Sequence, residues 1–187
     1  MKTPWAMILV FLFTTSVCSA REISGVVFPE SVSVQGSKLV LNGAGIRSKF
    51  FFSIYVGALY LSERAAKPQD VFDNANSKRV VMHVLYKDLE AAKITAAWDE
   101  GFKKNNSSKD YESLQDRLQT FNSFFNDSKT GDVILLDYIP DSGTRMTFNN
   151  ELRGTIPGRD FYTALLKVWL GDRPADSNLK EAMLGQD

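Results

Sequence analysis

The sequence predicts an α+β domain in which helices are layered on one face of an antiparallel sheet. Three observations carry this. Strand-like runs dominate the two ends of the chain after its first twenty residues, while helical patterns group in the middle and at the close. Residues 39–61 form a long apolar stretch that reads as two strands. Segments beginning near residues 89, 111 and 159 repeat apolar side chains at helical spacing.

In chain order, residues 23–34 alternate apolar and polar positions around Pro29-Glu30. Gln35-Gly36-Ser37 is a turn and 38–41 a strand, so a strand pair enters the sheet here. Leu39 and Leu41 flank Val40, the chain passes through Gly43-Ala44-Gly45 and Arg47, and 50–61 is almost continuously apolar. That run is too short to span a bilayer and reads as a core strand. Pro68 suits the first turn of a short helix through Phe72, and 74–77 is a loop. Residues 79–86 are rich in β-branched side chains and predict a strand. His83 shares a face with Val81 and Leu85 there, which fits a satisfied core histidine better than a catalyst.

Asp88 is placed to cap a helix over 89–102, with Ala91, Ile94, Trp98 and Phe102 on its apolar face. A polar loop at 105–108 leads to a helix over 111–126, whose stripe is Leu114, Leu118, Phe121 and Phe125. Strands at 131–139, 144–149 and 152–156 follow, with Pro140-Asp141-Ser142-Gly143 as the first turn. A helix over 159–170 turns Phe161, Leu165, Val168 and Trp169 inward and stops at Gly171, with Pro174 beyond. Residues 177–184 make a last short helix.

Lys2, the apolar run 5–17 and the small residues Cys18-Ser19-Ala20 have the order of a signal peptide cleaved before Arg21. A lipoprotein reading of Cys18 fits poorly, because Thr15-Ser16-Val17 does not suit a lipid-attachment site. Removing residues 1–20 from the 187 leaves 167, a single domain over 21–187 expected to be periplasmic or secreted. Without Lys2 there are 21 basic and 22 acidic residues, a net charge near −1 and no electrostatic footprint for nucleic acid. Cys18 is the only cysteine and His83 the only histidine, so a disulfide framework, a thiol nucleophile and a multi-histidine zinc site are excluded after cleavage. No cofactor, no metal, no membrane span and a monomer are expected.

Arg47 is the unusual residue. A guanidinium beside a buried aromatic run is costly without a partner, and the segment 38–49 holds no acid. Either an acid from far along the chain pairs with it, or a ligand does.

Gly43-Ala44-Gly45-Ile46-Arg47, Lys49-Phe50 and Tyr55-Val56-Gly57-Ala58-Leu59-Tyr60-Leu61 resemble the signature of the chalcone isomerase-like family, most closely its secreted bacterial branch. The similarity resumes at 143–149 and 161–171. The resemblance implies a large curved sheet with helices packed over it and a ligand cleft between the layers. It puts Arg47 at the position of an arginine that meets substrate oxygen in the plant isomerases and holds a carboxylate in the fatty-acid-binding relatives. A permanently charged, bidentate fork suits a planar anion. Where the isomerases place a catalytic threonine, this chain offers Tyr55 or Ile54, depending on where a gap falls. Tyr55 is favoured because its hydroxyl can donate to an anion.

The isomerases also carry a Tyr and an Asn on a helix over the cleft. The matching region 89–102 has neither, and offers Lys93, Thr95 and Trp98 instead. Thr163 matches a further polar position near the C-terminus. Three readings follow. The first is a non-catalytic protein binding a fatty acid or similar apolar anion through Arg47, Tyr55, Lys93, Trp98 and Thr163. The second is an intramolecular lyase of the isomerase type, with Arg47 stabilising a phenolate. The third is a structural or partner-binding domain whose cleft is filled by its own aromatic side chains.

Overall fold

The computed structural model describes residues 20–186. Seven antiparallel strands form one curled sheet. The first half comprises β3 (Ser31–Val34), β4 (Ser37–Lys49), β5 (Phe52–Leu61) and β6 (Lys78–Val84). The second comprises β9 (Val133–Ile139), β10 (Gly143–Phe148) and β11 (Glu151–Ile156), and the spatial order is β11-β10-β9-β6-β5-β4-β3. The entering segment pairs with itself as β1 (Ala20–Ile23) and β2 (Val26–Pro29), and only β3 joins the main ladder. Between the halves of the sheet lie α2 (Ala91–Asn105) and α3 (Ser108–Asn122), framed by the short pair β7 (Asp88–Leu89) and β8 (Ser128–Lys129). Helix α1 (Pro68–Asp73) begins with its proline at the first turn, and α4 (Arg159–Leu170) and α5 (Ser177–Met183) close the chain.

The helices cover one face of the sheet, as the sequence predicts. Leu59, Met82, Leu136 and Met146 meet Phe102, Phe121, Phe161 and Trp169 there in the main core. Trp98 stands at the centre, with ring centroids 5.2 Å from Trp169 and 5.9 Å from Phe121. The far face is also apolar. Val56, Ala58, Tyr60 and Leu41 form a second cluster with Phe28 of β2, and the Tyr60 hydroxyl donates to the Pro29 carbonyl at 3.0 Å. His83 is on this side, half-buried, and desolvation lowers its pKa below the ordinary histidine value.

The two halves meet at β6–β9, where buried Asp137 is in register with Arg79 on one side and Arg145 on the other. Arg79 donates from Nε and Nη2 at 2.6 and 2.8 Å, and Arg145 from Nη2 at 3.0 Å. One carboxylate thus accepts from two guanidinium groups across three strands.

Two local expectations are corrected. Asp88 does not cap α2: Asp88–Leu89 pairs with Ser128–Lys129, the helix starts at Ala91, and the Ala91 N–H donates to Asp127 Oδ1 at 2.8 Å. Phe50 to Phe52 do not join the core either. Lys49 pairs with Phe52, which leaves Phe50-Phe51 as the hairpin tip, and Phe51 is 100% exposed. Phe50 has φ +57°, a left-handed conformation that costs a non-glycine residue roughly 1–2 kcal/mol.

Candidate anion-binding cleft

The glycine-rich signature builds a platform. Gly43, Gly45 and Gly57 face the helical layer where α5 lies directly on the sheet. A Cβ on Gly43 would sit 2.0 Å from the Ala182 carbonyl oxygen, and one on Gly45 would sit 2.6 Å from the Ala182 Cβ. Asn42 beside them anchors the end of this helix, donating to the carbonyls of Met183 at 2.7 Å and Ala65 at 2.9 Å. At the other end of α5, Asp176 accepts from the Asn178 and Leu179 N–H groups and from Ser48 N on β4 at 2.9 Å. These contacts position the strand end that carries Arg47.

Arg47 is half-buried where β4 leaves the platform. Among the described residues no carboxylate lies within ion-pair distance of it, and its buried Nε has no hydrogen-bond acceptor. Its guanidinium stands 5.6 Å from the centroid of the Tyr55 ring, its partner in register. The register shifts after Arg47, so Ile54 is an extra residue in β5. Two successive residues, Ile54 and Tyr55, therefore join the main core on the helical side. Of the two residues weighed for the threonine position, Tyr55 lines the inner cavity with Arg47 and Ile54 lines the groove outside it.

The inner cavity, about 40 Å³, lies between β5, α2 and α4 and is lined by Arg47, Tyr55, Lys93, Ile94, Trp98 and Val168. It holds about three water-sized groups. The outer groove is larger, about 290 Å³, and shares Arg47, Leu89, Lys93 and Ala97 with the inner cavity. Phe50, Phe52 and Tyr86 add aromatic wall.

Two buried donors among these residues lack acceptors, Arg47 Nε and Trp98 Nε1. The Tyr55 hydroxyl accepts from Trp169 Nε1 at 2.7 Å, which leaves its own proton for another group. Burial raises the Tyr55 pKa, offset in part by the Arg47 charge and the Trp169 bond, so the phenol stays protonated. Lys93 is at the rim, hydrogen-bonded to Glu90 at 2.6 Å, which raises its pKa. The cavity is thus rich in donors and holds no acid of its own, which suits an anion's oxygens.

Arg47, Tyr55, Lys93 and Trp98 line one cavity. Thr163 does not join them. It lines a separate depression with Phe72, Asp110 and Arg159, while Val168 is the α4 residue that reaches the cleft. Sequence reasoning missed Trp169, which orients the Tyr55 hydroxyl; its inward position on the 159–170 stripe was the available signal.

The fold is thus a curled antiparallel sheet under a layer of helices, with a donor-lined cleft between them. The chain belongs to the chalcone isomerase-like family, whose profile matches residues 20–185. Among solved structures it is similar to a fatty-acid binding protein of Arabidopsis thaliana, at 17% identity over 89% of this chain and 96% of that one, with a TM-score of 0.68. No curated protein matches significantly.

Proposed function

We propose that this protein binds a fatty acid or similar apolar anion without chemical turnover. The carboxylate sits at Arg47, Tyr55 and Trp98, and the tail lies in the outer groove. The observation that carries the reading is the pair of buried, acceptor-free donors on two residues that line one small cavity. Leaving such groups unsatisfied costs about 1–3 kcal/mol each, and an anion removes that cost. The cavity fits a headgroup and not an acyl chain, so the tail belongs between Phe50, Phe52, Ile54 and Tyr86. The likeness to a fatty-acid binding protein supports this reading through the fold.

A structural domain with a filled cleft is the second reading, favoured by the packing of Trp98 against Trp169 and Phe121. The isomerase reading has least support, since α2 brings Lys93, Ala97 and Trp98 to the cleft and neither Tyr nor Asn. Titration with palmitate separates these readings. Losing a charge-assisted contact costs roughly 1.5–3 kcal/mol, so Arg47→Ala binds about ten- to a hundred-fold more weakly than the parent. Equal affinity in both proteins, or no binding by either, sinks the first reading. Chalcone cyclisation by the parent above the uncatalysed rate restores the isomerase.

The same proposal sets the protein in the periplasm or outside the cell, on the leader-like order of residues 1–20. Residues 1–19 lie outside the described structure. N-terminal sequencing of exported protein decides this, with Arg21 the expected first residue. Among the described residues no helix is long and apolar enough to cross a membrane.

A further inference from the structure

We propose that the β4–β5 hairpin tip docks this protein on an anionic phospholipid surface, with the Phe50 and Phe51 rings entering the interfacial layer. Exposure is the first observation. Phe51 is 100%, Phe50 86% and Phe52 56% exposed, three consecutive aromatic residues at a hairpin end that runs two residue pairs, Ser48 with Ser53 and Lys49 with Phe52, past the pairing of β5 with β6. Only Phe52 is supported from behind, edge-on to Tyr86 at 5.7 Å. A single exposed aromatic needs no explanation, but a contiguous patch on a projection marks a contact surface.

Backbone conformation is the second. Phe50 holds φ +57°, where glycine, asparagine or aspartate is the unstrained choice. Every other non-glycine residue with positive φ among the described residues is Ser, Gln, Asp or Asn. A phenyl group is kept where a turn residue would fold better, so its use lies outside the fold.

Charge names the partner. Arg47, Lys49, Lys93, Lys104 and Arg173 surround the depressions behind the tip. The facing acids are three: Glu90 and Glu100, which are hydrogen-bonded to Lys93 and Lys104, and Asp176, which accepts from Ser48 N. The chain as a whole is neutral, so this excess of cations is local. Phenyl groups ahead of a basic collar match the interface of an anionic bilayer, with acyl chains below and phosphates at headgroup level. The outer groove opens beside the tip, so docking sets its mouth against the lipid. The inference rests on the tip and the basic collar behind it, and it stands whether or not Arg47 holds an acyl anion.

Partitioning onto vesicles of equal parts phosphatidylcholine and phosphatidylglycerol tests it, with full-length exported protein and variants sharing its N-terminus. Phe51 lines neither the cavity nor the groove, so Phe51→Ser leaves palmitate affinity in solution at the parent's value. It lowers vesicle partitioning roughly ten-fold. Phe51→Trp shifts its emission to the blue when vesicles are added, and salt weakens the effect by screening the collar. Equal partitioning of parent and Phe51→Ser, with no emission shift, overturns the proposal. So does a blue shift that follows protein concentration without vesicles and coincides with a dimer in light scattering, because the tip then joins two copies of the chain. Failure of palmitate binding with intact vesicle docking removes the ligand reading and leaves this one standing.

Discussion

Substituting Gly43 by alanine tests whether the glycine signature is a docking platform for α5. The new Cβ would lie 2.0 Å from the Ala182 carbonyl oxygen and 3.0 Å from both Gly185 N and Met183 C. All three are backbone atoms, so no side-chain rotation relieves the clash and the helix itself must rise. Overpacking of this kind costs about 1–3 kcal/mol. If α5 detaches, the buried side chains of Leu179 and Met183 are exposed as well, each worth roughly 1.5–3 kcal/mol, and Asn42 loses an acceptor. A destabilisation of about 1–3 kcal/mol is therefore expected if the clash is absorbed and about 3–6 kcal/mol if the helix detaches, read by urea denaturation followed by circular dichroism. Gly57→Ala is the control, because its Cβ would meet side chains and no backbone, the flexible end of Leu179 at 3.2 Å and the edge of the Tyr55 ring at 3.3 Å, and it should cost less than about 1 kcal/mol. Equal denaturation midpoints for the two variants would refute the platform.

Two further outcomes concern buried charge. Asp137→Asn leaves Arg79 and Arg145 without their shared carboxylate, and a loss of about 3–5 kcal/mol is expected in the same assay; less than about 1 kcal/mol would mean that the triad holds nothing together. Lys78 is buried, with Nζ donating to Asn74 and Asn76 carbonyls, and desolvation, helped by the Arg159 charge, lowers its pKa from 10.5 to about 8. Between those values the unfolded chain binds more protons than the folded one, so this group makes stability rise with pH from about 8 to 10 by roughly 1–3 kcal/mol. Above that range Tyr55, Tyr60 and Tyr162, whose pKa values burial raises, act in the opposite sense. Lys78→Met should flatten the rise, and an unchanged pH profile would show that the amine is not the source.

What could be read from the sequence was what repeats. The stripe Phe161, Leu165, Val168 and Trp169 is buried on α4 as its spacing requires, and the strands at 79–86 and 131–139 pair as neighbours. Long periodic segments signal their environment several times over. The start of α2 was not legible, because its cap is Asp127, a residue 36 positions away that only the β7–β8 pairing brings near. The tip was misread because Phe50-Phe51 carries no turn chemistry. Hydropathy placed it in the core, whereas a two-residue loop closing a long ladder must project from it. At the site, the missing acid around Arg47 was visible in 38–49, and the guanidinium does lack a carboxylate partner among the described residues. The extra residue Ile54 was not visible, since a bulge adds no composition of its own. Thr163 lies apart from the cleft for a simpler reason: five positions separate it from Val168, and that places it on another side of the same helix.

The β7–β8 pair gives the lid a property that the rest of the fold lacks. Helices α2 and α3 leave the sheet after β6 and return before β9, and two residue pairs, Asp88 with Lys129 and Leu89 with Ser128, hold both ends together. The seam between the half-sheets is fixed by its own ladder and by Asp137, outside that loop. The lid is thus a cassette. Its exposed and cleft-facing positions can be rewritten between the clasped ends as long as Phe102, Leu114, Leu118 and Phe121 keep their places in the main core. Arg47, on the strand beneath, stays where it is while the chemistry above it changes.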